Sequence, residues 1–342
     1  MGIVRMQDIG NALGVSTVTV SKALAGKEGV SESLRLKIKC KADEMGYVLP
    51  EKSAKTVSTN DIGVLIASGF VDSKDAFYWD MCEKVISRLQ AANYYAILEI
   101  VKKSDEEQLT LPRFANRVCG LIAMGRLSAP YLRNLKENTK LPVLHLDDYN
   151  YENYNSSVVS NGYYGMYTVT NYLISMGHRN IMFVGTIWAT SSISDRFFGF
   201  WRSMSEHGLP VALESCLADR GEDGIISFEL PETLPTAFAC NCDQTAFNLI
   251  RMLSDRGIRV PEDVSVTGFD NCVISDMCMP KITTYAVDTD GMAFACVNNL
   301  IRLLGGLSTD HMSVVDGRLL IKDSVARCQS APPDVRASEK MR

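Results

Sequence analysis

Residues 6–24 have the sequence MQDIGNALGVSTVTVSKAL, and this stretch decides the fold of the amino-terminal end. Three apolar residues recur in it at helical spacing, namely Met6, Ile9 and Leu13. The pattern stops at Gly14, whose missing Cβ allows the left-handed turn that ends a helix. Ser16 is a suitable N-cap for a second helix that begins at once. The stretch therefore predicts two short helices joined by a tight turn.

The predicted second helix has two different faces. Apolar side chains form one stripe, namely Val20, Ala23 and Leu24. Side chains suited to reading DNA form the other, namely Thr17, Val18, Ser21 and Lys22. Valine can contact a thymine methyl group, threonine can bond a base or a phosphate, and lysine can reach guanine acceptors. With a third helix capped by Ser31 and stopped by Gly46, the pattern predicts a helix-turn-helix unit.

The same residues resemble the head of the LacI/GalR family of bacterial transcription regulators. The shared motifs are Asp8-Ile9-Gly10, Leu13-Gly14-Val15-Ser16, Thr19-Val20-Ser21-Lys22-Ala23-Leu24, Val30-Ser31 and Gly46-Tyr47. The resemblance implies a DNA-binding head over residues 1–49, with base contacts from Thr17, Val18 and Lys22. It implies backbone contacts from Ser16, Thr19 and Ser21. Arg5 stands where the family usually has a threonine cap, and we expect it to contact a phosphate.

Charge is distributed unevenly along the chain. Residues 1–60 contain nine Lys and Arg against six Asp and Glu, a net charge of +3. The whole chain carries −5, so the remainder carries −8. A cationic head on an acidic body is typical of a module that binds a polyanion, attached to a part that need not touch it. The expected partner is double-stranded DNA.

From Ile62 onward, apolar strands alternate with amphipathic helices. Strands are predicted at residues 62–67, 95–100, 121–124, 143–146, 181–184, 237–240 and 264–267. Helices are predicted around residues 79–91, 163–176, 197–206 and 244–256. Repeated βα units form parallel sheets with helices on both faces, and about 270 residues exceed one ordinary sheet. The predicted fold class is therefore α/β, with an all-α head joined to two lobes that enclose a cleft.

Motifs of this second part resemble the periplasmic-binding-protein-like sensor of the same family. They are Gly177-His178-Arg179, Asp195-Arg196-Phe197-Phe198-Gly199-Phe200, Pro235-Thr236-Ala237-Phe238, Val260-Pro261-Glu262-Asp263-Val264-Ser265-Val266 and Gly268-Phe269-Asp270. The resemblance implies a sensor core over residues 61–329. Its N-lobe would comprise about 61–159 and 289–315, and its C-lobe about 160–286 and 316–328. The tail, residues 330–342, contains two prolines and no leucine heptad, so we expect it to be disordered and not to build a tetramer.

Arg196 and Asp270 match the ligand-binding arginine and aspartate of the family. A guanidinium donates to neighbouring hydroxyls and a carboxylate accepts from them, which suits a sugar. Aromatic rings that could cover the apolar face of a sugar are Phe77, Tyr78, Trp79 and Trp188, although each is as readily explained by packing. Two positions depart from the family, because Cys242 replaces an asparagine and Ser160 an aspartate. The expected effector is a mono- or disaccharide, with a purine or another small polar metabolite as the alternative; inducer and co-repressor stay open.

The hinge, residues 50–60, departs most from the family. Related repressors insert a leucine of this segment into the minor groove at the centre of the operator. Here either Thr56 or Val57 occupies that position, depending on the alignment. Valine is shorter and β-branched, so we expect a smaller kink, with Lys52 and Lys55 supplying charge to the DNA backbone. A homodimer would present two heads to a near-palindromic operator.

Other function classes lack their motifs. The sequence contains no nucleotide-binding glycine loop after a strand and no G-x-S-x-G, and its four histidines have no metal-ligand spacing. We therefore expect neither an enzyme nor a cofactor nor a metal site. Ten cysteines without a C-x-x-C pair, short apolar runs and the absence of a signal peptide predict a cytoplasmic protein with free thiols and no membrane span. The alternatives are a βα enzyme acting on a small polar metabolite and an exported solute-binding protein.

Overall fold

The computed structural model describes residues 6–24, 29–45, 60–72, 76–149, 156–221 and 224–328. By its internal contacts the chain divides into two compact units, Met1–Ser58 and Thr59–Arg342. The first unit contains the helical head, and the second contains two β-sheets with their covering helices. The α/β fold class with an all-α head, predicted from the sequence, is confirmed.

Within its described residues, the head consists of three helices around a small apolar core. The helices are α1 (Met6–Leu13), α2 (Thr17–Leu24) and α3 (Glu32–Glu44). Gly14 has a φ of +66°, the left-handed conformation that turns the chain from α1 to α2. The Ser16 hydroxyl accepts a 3.1 Å hydrogen bond from the backbone N–H of Thr19, so Ser16 is the N-cap of α2. The core side chains are Ile9, Val20, Ala23, Ile38 and Ala42.

The second unit contains two sheets. In chain order the strands are β1 (Asp61–Ala67), β2 (Tyr95–Val101), β3 (Gly120–Met124), β4 (Val143–Leu146), β5 (Ser157–Ser160), β6 (Ile181–Val184), β7 (Ala237–Cys240), β8 (Ser265–Asp270), β9 (Thr283–Ala286), β10 (Met312–Val315) and β11 (Arg318–Leu320). The first sheet has the order β10-β5-β4-β3-β1-β2 and is parallel throughout. The second has the order β11-β9-β8-β7-β6, with β11 antiparallel to β9. This strand departs from the predicted parallel arrangement because it arrives from the first sheet through residues 316–317, without a crossover helix.

Helices cover both sheets. They are α4 (Ser68–Asp72), α5 (Ala76–Ala91), α6 (Lys103–Glu107), α7 (Ala129–Thr139), α8 (Gly162–Ser175), α9 (Ser191–Glu206), α10 (Asp243–Asp255), α11 (Val273–Met277) and α12 (Thr289–Leu304), with a 3₁₀ turn at Leu213–Ser215. Helices α5 and α12 pack together against the first sheet, and α8 and α9 pack together against the second. The α8–α9 contact is close, because a Cβ at Gly199 would lie 2.0 Å from the carbonyl oxygen of Tyr163.

The chain passes between the two sheets three times. Strand β5 belongs to the first sheet, whereas α8, which follows it, packs against strands of the second. Strand β9 belongs to the second sheet, whereas α12 packs against the first. The third passage is residues 316–317, between β10 and β11. The side-chain amide of Asn161 donates a 2.7 Å hydrogen bond to Asp316, so the first and third passages are tied to each other.

Candidate functional site

Helix α2 separates a buried face from an exposed one. Val20 and Ala23 are fully buried in the core of the head. The predicted DNA-reading side chains are on the exposed face, namely Thr17, Val18, Ser21 and Lys22. Val18 is 64% exposed although it is apolar. The helix therefore presents an isopropyl group, two hydroxyls and an ammonium group to the outside of the head.

The amino end of α2 carries a second set of polar groups. The hydroxyls of Ser16 and Thr19 lie 2.9 Å apart, and the backbone N–H groups of a helix start attract anions such as phosphate. Four further predicted DNA contacts, Arg5, Lys52, Lys55 and Val57, lie outside the described residues, as does Thr56. The hinge and the tail lie outside them as well, apart from Asn60.

A cavity lies in the second unit, where the carboxyl ends of strands from both sheets meet, and its volume in this structure is about 30 Å³. From the elements of the first sheet it is lined by Phe70, Phe77, Tyr78 and Asp147. From the elements of the second sheet it is lined by Thr190, Ser192, Ile193, Arg196, Arg220, Asn241, Cys242 and Asp270. Open α/β sheets bind ligands at the carboxyl ends of their strands, so the cavity lies where this kind of fold places a ligand site.

Arg196 and Asp270 form a buried ion pair in this cavity. The Nη2 atom of Arg196 lies 3.0 Å from Oδ1 of Asp270, and Nη1 donates a 2.6 Å hydrogen bond to the carbonyl oxygen of Asn241. The guanidinium lies 4.0 Å from the ring centroid of Phe269, a distance at which a cation and an aromatic ring attract each other. Burial alone would lower the pKa of Arg196, but the carboxylates of Asp270 and Asp147 outweigh burial and raise it. Arg196 is therefore a fixed, charged donor.

Asp147 is a second carboxylate that lines the cavity, and it belongs to the side of the first sheet. It follows β4 directly, and the hydroxyl of Tyr78 donates a 2.8 Å hydrogen bond to its Oδ2 atom. Asp147 has a φ of 61° and Asp270 has a φ of 102°, a region that L-residues rarely adopt. Strained backbone at a pair of cavity-lining carboxylates is typical of a ligand site.

Three side chains make polar contacts between the two sheets beside the cavity. Arg126, which follows β3, donates to the carbonyl oxygens of Trp188 and Ala189, which follow β6. Ser191 donates a 2.7 Å hydrogen bond to Asp148. Tyr149 donates to Asp195 at the same distance. The segments that flank the cavity are thus in direct contact.

Two family descriptions match the chain. The description "Bacterial regulatory proteins, lacI family" matches residues 5–49, and "Periplasmic binding protein-like domain" matches residues 170–325. The chain belongs to the LacI family. As a member of that family it is a DNA-binding transcription regulator. The two matches confirm the resemblance that the sequence motifs indicate.

Among curated LacI-family relatives, the "HTH-type transcriptional regulator RegA" of Clostridium saccharobutylicum is 27% identical over 331 residues, which cover 93% of this chain and 98% of RegA. Two solved structures share the fold. The complex of the transcriptional regulator CelR with cellobiose has a TM-score of 0.68 at 19% identity, covering 94% of this chain and 99% of CelR. The Lac repressor dimer bound to operator and an anti-inducer has a TM-score of 0.63 at 21% identity, covering 95% of this chain and 100% of that one.

The cavity brings together five of the eight predicted ligand residues of this LacI-family chain. They are Phe77, Tyr78, Arg196, Cys242 and Asp270. The other three predicted residues, Trp79, Trp188 and Ser160, do not line the cavity. Trp79 is 44% exposed on the outer side of α5, and Trp188 is 66% exposed and packs edge-on against Phe198. Ser160 is buried at the end of β5, where the chain leaves the first sheet.

Several lining residues were not predicted from the sequence. Asp147 could have been found, because a polar residue directly after a buried strand is a signal for a site at the sheet edge. Thr190 and Ser192 stand at the start of α9, within one turn of the motif that contains Arg196. Arg220 lies in an irregular segment after β6, where no periodicity marks it.

Two further properties bear on this site. No group of three or more His, Cys, Asp or Glu side chains able to hold a metal ion is found in the part of the chain that the structure describes. None of the helices traced in that part is both long enough and apolar enough to cross a bilayer.

Proposed function

We propose that this LacI-family regulator is a homodimeric repressor whose affinity for a near-palindromic operator is set by a sugar bound in the cavity. In this proposal residues 1–49 bind DNA, residues 50–60 form the hinge and residues 61–329 form the sensor with its N-lobe and C-lobe. The observation that carries the proposal is the buried Arg196–Asp270 pair, which places a donor fork and an acceptor beside the aromatic rings of Phe77 and Tyr78.

The lining of the cavity fits a polyol. Hydroxyl groups both donate and accept, and Arg196 offers donors while Asp147 and Asp270 offer acceptors. The rings of Phe77 and Tyr78 both line the cavity, and their planes meet at 88°. Aromatic rings cover the C–H face of a sugar. The CelR structure, which shares the fold, is a complex with cellobiose, and this supports a sugar as the effector.

The exposed face of α2 supports operator binding through the major groove. Thr17, Val18 and Lys22 would contact bases, with Ser16, Thr19 and Ser21 on the phosphates. The hinge residues Lys52, Lys55 and Val57 and the head residue Arg5 stay sequence-based predictions. Binding should weaken steeply with salt, because each lysine or arginine on a phosphate releases counterions.

Pairing of two sensors is supported by an apolar surface on the second unit. Val273, Met277 and Met279 are 64%, 73% and 83% exposed, and they follow one another closely in the sequence, in and after α11. On the first sheet, the edge strand β2 exposes Tyr95 and Ile100. Large apolar side chains that are exposed in the single chain favour an interface between subunits. Sedimentation should therefore give a dimer at micromolar concentration.

The experiment that tests the proposed function has two steps. The full chain is first used to select binding sites from random double-stranded DNA, and an enriched inverted repeat is the expected result. Sugars are then screened by thermal shift, since a ligand at a hundred times its dissociation constant adds about 2.7 kcal/mol of stability. A sugar that stabilises the chain should also change its affinity for the selected operator. Enrichment of no sequence motif would refute the operator, and the absence of any sugar response would refute the effector.

A further inference from the structure

A second buried ion pair, Asp219–Arg220, borders the cavity and lies outside the sequence motifs quoted above. Asp219 is completely buried, and its neighbour Arg220 donates to it twice, from Nε to Oδ1 at 3.0 Å and from Nη2 to Oδ2 at 2.8 Å. This is the bidentate fork geometry of strong arginine–carboxylate pairs. Arg220 also lines the cavity. The pair therefore connects the interior of the second sheet with the surface that a ligand would touch.

Asp219 is held in place by donors other than Arg220. Its carboxylate accepts hydrogen bonds from the backbone N–H of Thr186 at 2.9 Å, from the Asn241 amide at 2.7 Å and from the Thr245 hydroxyl at 2.7 Å. Burial alone would raise the pKa of Asp219, but Arg220 and the other donors outweigh burial and lower it to about 2. At neutral pH this carboxylate is ionised, and it balances the charge of Arg220.

Arg220 is fixed at both ends. Its backbone N–H and carbonyl both bond to the hydroxyl of Thr186, at 3.0 and 2.9 Å. Its Nε and Nη2 atoms have hydrogen-bond partners, whereas none is found for Nη1 among the described residues. In the same set of residues, the buried Nε atom of Arg196 also has no hydrogen-bond partner. Two rigid guanidinium groups thus retain N–H donors beside the cavity.

The formal charges around the cavity do not favour an anion. Asp147 and Asp270 line it, and Asp219 stands directly behind Arg220, so three carboxylates face two guanidinium groups. A like charge within about 4–6 Å in a buried site shifts an equilibrium by about tenfold or more. Repulsion from these carboxylates would weaken the binding of a ligand that carries a carboxylate or a phosphate. An uncharged hydroxyl or carbonyl oxygen would not meet this repulsion.

The geometry points to an uncharged polyol as the effector, with Arg220 as a specificity-determining residue that donates to a ligand oxygen but, neutralised by Asp219, does not select for negative charge. This inference rests on the proposed function, in which the cavity binds a sugar. It excludes uronates and sugar phosphates from the effector class.

The test is isothermal titration of the full chain with matched probes at constant ionic strength. The probes are glucose, glucuronate and glucose 6-phosphate, and galactose, galacturonate and galactose 6-phosphate. In at least one series the neutral sugar should bind about tenfold or more tightly than its anionic counterparts. An anionic probe that binds as tightly as its neutral partner overturns the inference while the proposed function stands. Binding of no probe of either kind counts against the sugar effector itself, and the inference falls with it.

Two variants separate recognition from mere support of the fold. Arg220→Gln keeps one side-chain donor but removes the charge, so neutral sugar should bind about tenfold more weakly and discrimination against anions should grow. Asp219→Asn removes the balancing charge, so discrimination against anions should shrink by about tenfold. A purely structural role would weaken neutral and anionic probes equally in both variants, and that result overturns the assignment of Arg220. If Asp219→Asn does not fold, as judged by circular dichroism, Arg220→Gln alone decides.

Arg251→Gln is the matched control. Arg251 belongs to the same unit, and its guanidinium lies 6.0 Å from the ring centroid of Phe247 on α10, outside the lining of the cavity. This variant should bind neutral and anionic probes as the unaltered chain does. If Arg220→Gln binds the neutral sugar as tightly as this control, Arg220 does not contact the ligand, and the inference is wrong.

Discussion

The hydroxyl of Tyr149 donates a 2.7 Å hydrogen bond to Oδ1 of Asp195, and this bond joins the segment after β4 to the helix that carries Arg196. Asp195 precedes Arg196 directly, and Ser191 on the same helix donates to Asp148. The segment after β4 therefore contacts the first turn of α9 through two hydrogen bonds. A ligand shifts the balance between two conformations of a protein only if it binds one of them more tightly. Separation of the two sheets, which would open the cavity, would break these two hydrogen bonds.

Replacing Tyr149 with phenylalanine should weaken effector binding. The change removes one hydroxyl and keeps the ring, so the expected cost is about 1 kcal/mol, or about fivefold in affinity. The variant should fold normally, and its affinity for the operator without effector should change little. Titration with the sugar identified by thermal shift measures the effect. Tyr95→Phe, on the exposed edge strand β2, is the control, and equal affinities of the two variants would show that the Tyr149–Asp195 bond is not coupled to the cavity.

Arg196→Met should abolish the effector response and also destabilise the second unit. Removing one partner of a buried pair leaves Asp270 charged and uncompensated, which costs about 3–5 kcal/mol. Adding Asp270→Asn should restore part of the free energy of unfolding but not the response to sugar. Urea unfolding and titration measure the two effects separately. A single variant that still responds to sugar would remove Arg196 from the site.

Lys22→Ala should lower operator affinity by about 1–3 kcal/mol and relax the base preference at one position. Lys22 lies on the exposed face of α2, and the change leaves the buried face intact. The control is Lys37→Ala on α3, which removes the same charge from an exposed position of the head. Fluorescence anisotropy with the selected operator and with a scrambled duplex distinguishes base reading from charge. If the affinities for both duplexes fall equally, Lys22 contacts only phosphate and does not read bases.

Periodicity predicted most of the fold where one face of an element is buried. The strand predicted at residues 181–184 is β6, and the helix predicted around residues 244–256 is α10 at Asp243–Asp255. Helix α12 was not predicted, although its buried residues Met292, Ala293, Cys296, Val297 and Leu300 recur at helical spacing. Strand β11 gave no signal, because three residues at a sheet edge show no alternation.

The site was only partly readable from the sequence. Motifs identified Arg196 and Asp270 because both belong to regular elements, at fixed distances from a helix start and a strand end. The chemistry of their rings made Trp79 and Trp188 candidates, but both are exposed. Trp79 points away from the cavity because adjacent side chains on a helix point in different directions, and Trp188 lies in the turn between β6 and α9. The Asp219–Arg220 pair depends on contacts with Thr186 and Asn241, far away in the chain, and no local pattern encodes such contacts.

Asp243 makes the stability of the second unit depend on pH. It is fully buried in the first turn of α10, where its Oδ2 atom accepts a 2.9 Å hydrogen bond from the backbone N–H of Cys272. Burial raises the pKa of Asp243 to about 7, although Thr284, Cys272 and Lys322 oppose the shift. In an unfolded chain an aspartate has a pKa of about 3.9. Between these two values the folded chain therefore keeps a proton that the unfolded chain has lost.

It follows that this residue lowers the free energy of unfolding as the pH rises from about 4 to 7, with a slope of up to about 1.4 kcal/mol per pH unit. Its stabilising contribution is complete below the unfolded pKa and is lost as the pH rises through the folded one. Asp243→Asn cannot ionise and can still accept from Cys272, so the variant should show a flatter profile across this window. Urea unfolding of both chains at several pH values measures the difference, with Asp255→Asn at the exposed end of α10 as the control. Parallel profiles for the unaltered chain and Asp243→Asn would mean that Asp243 is already ionised at pH 4 in the folded state.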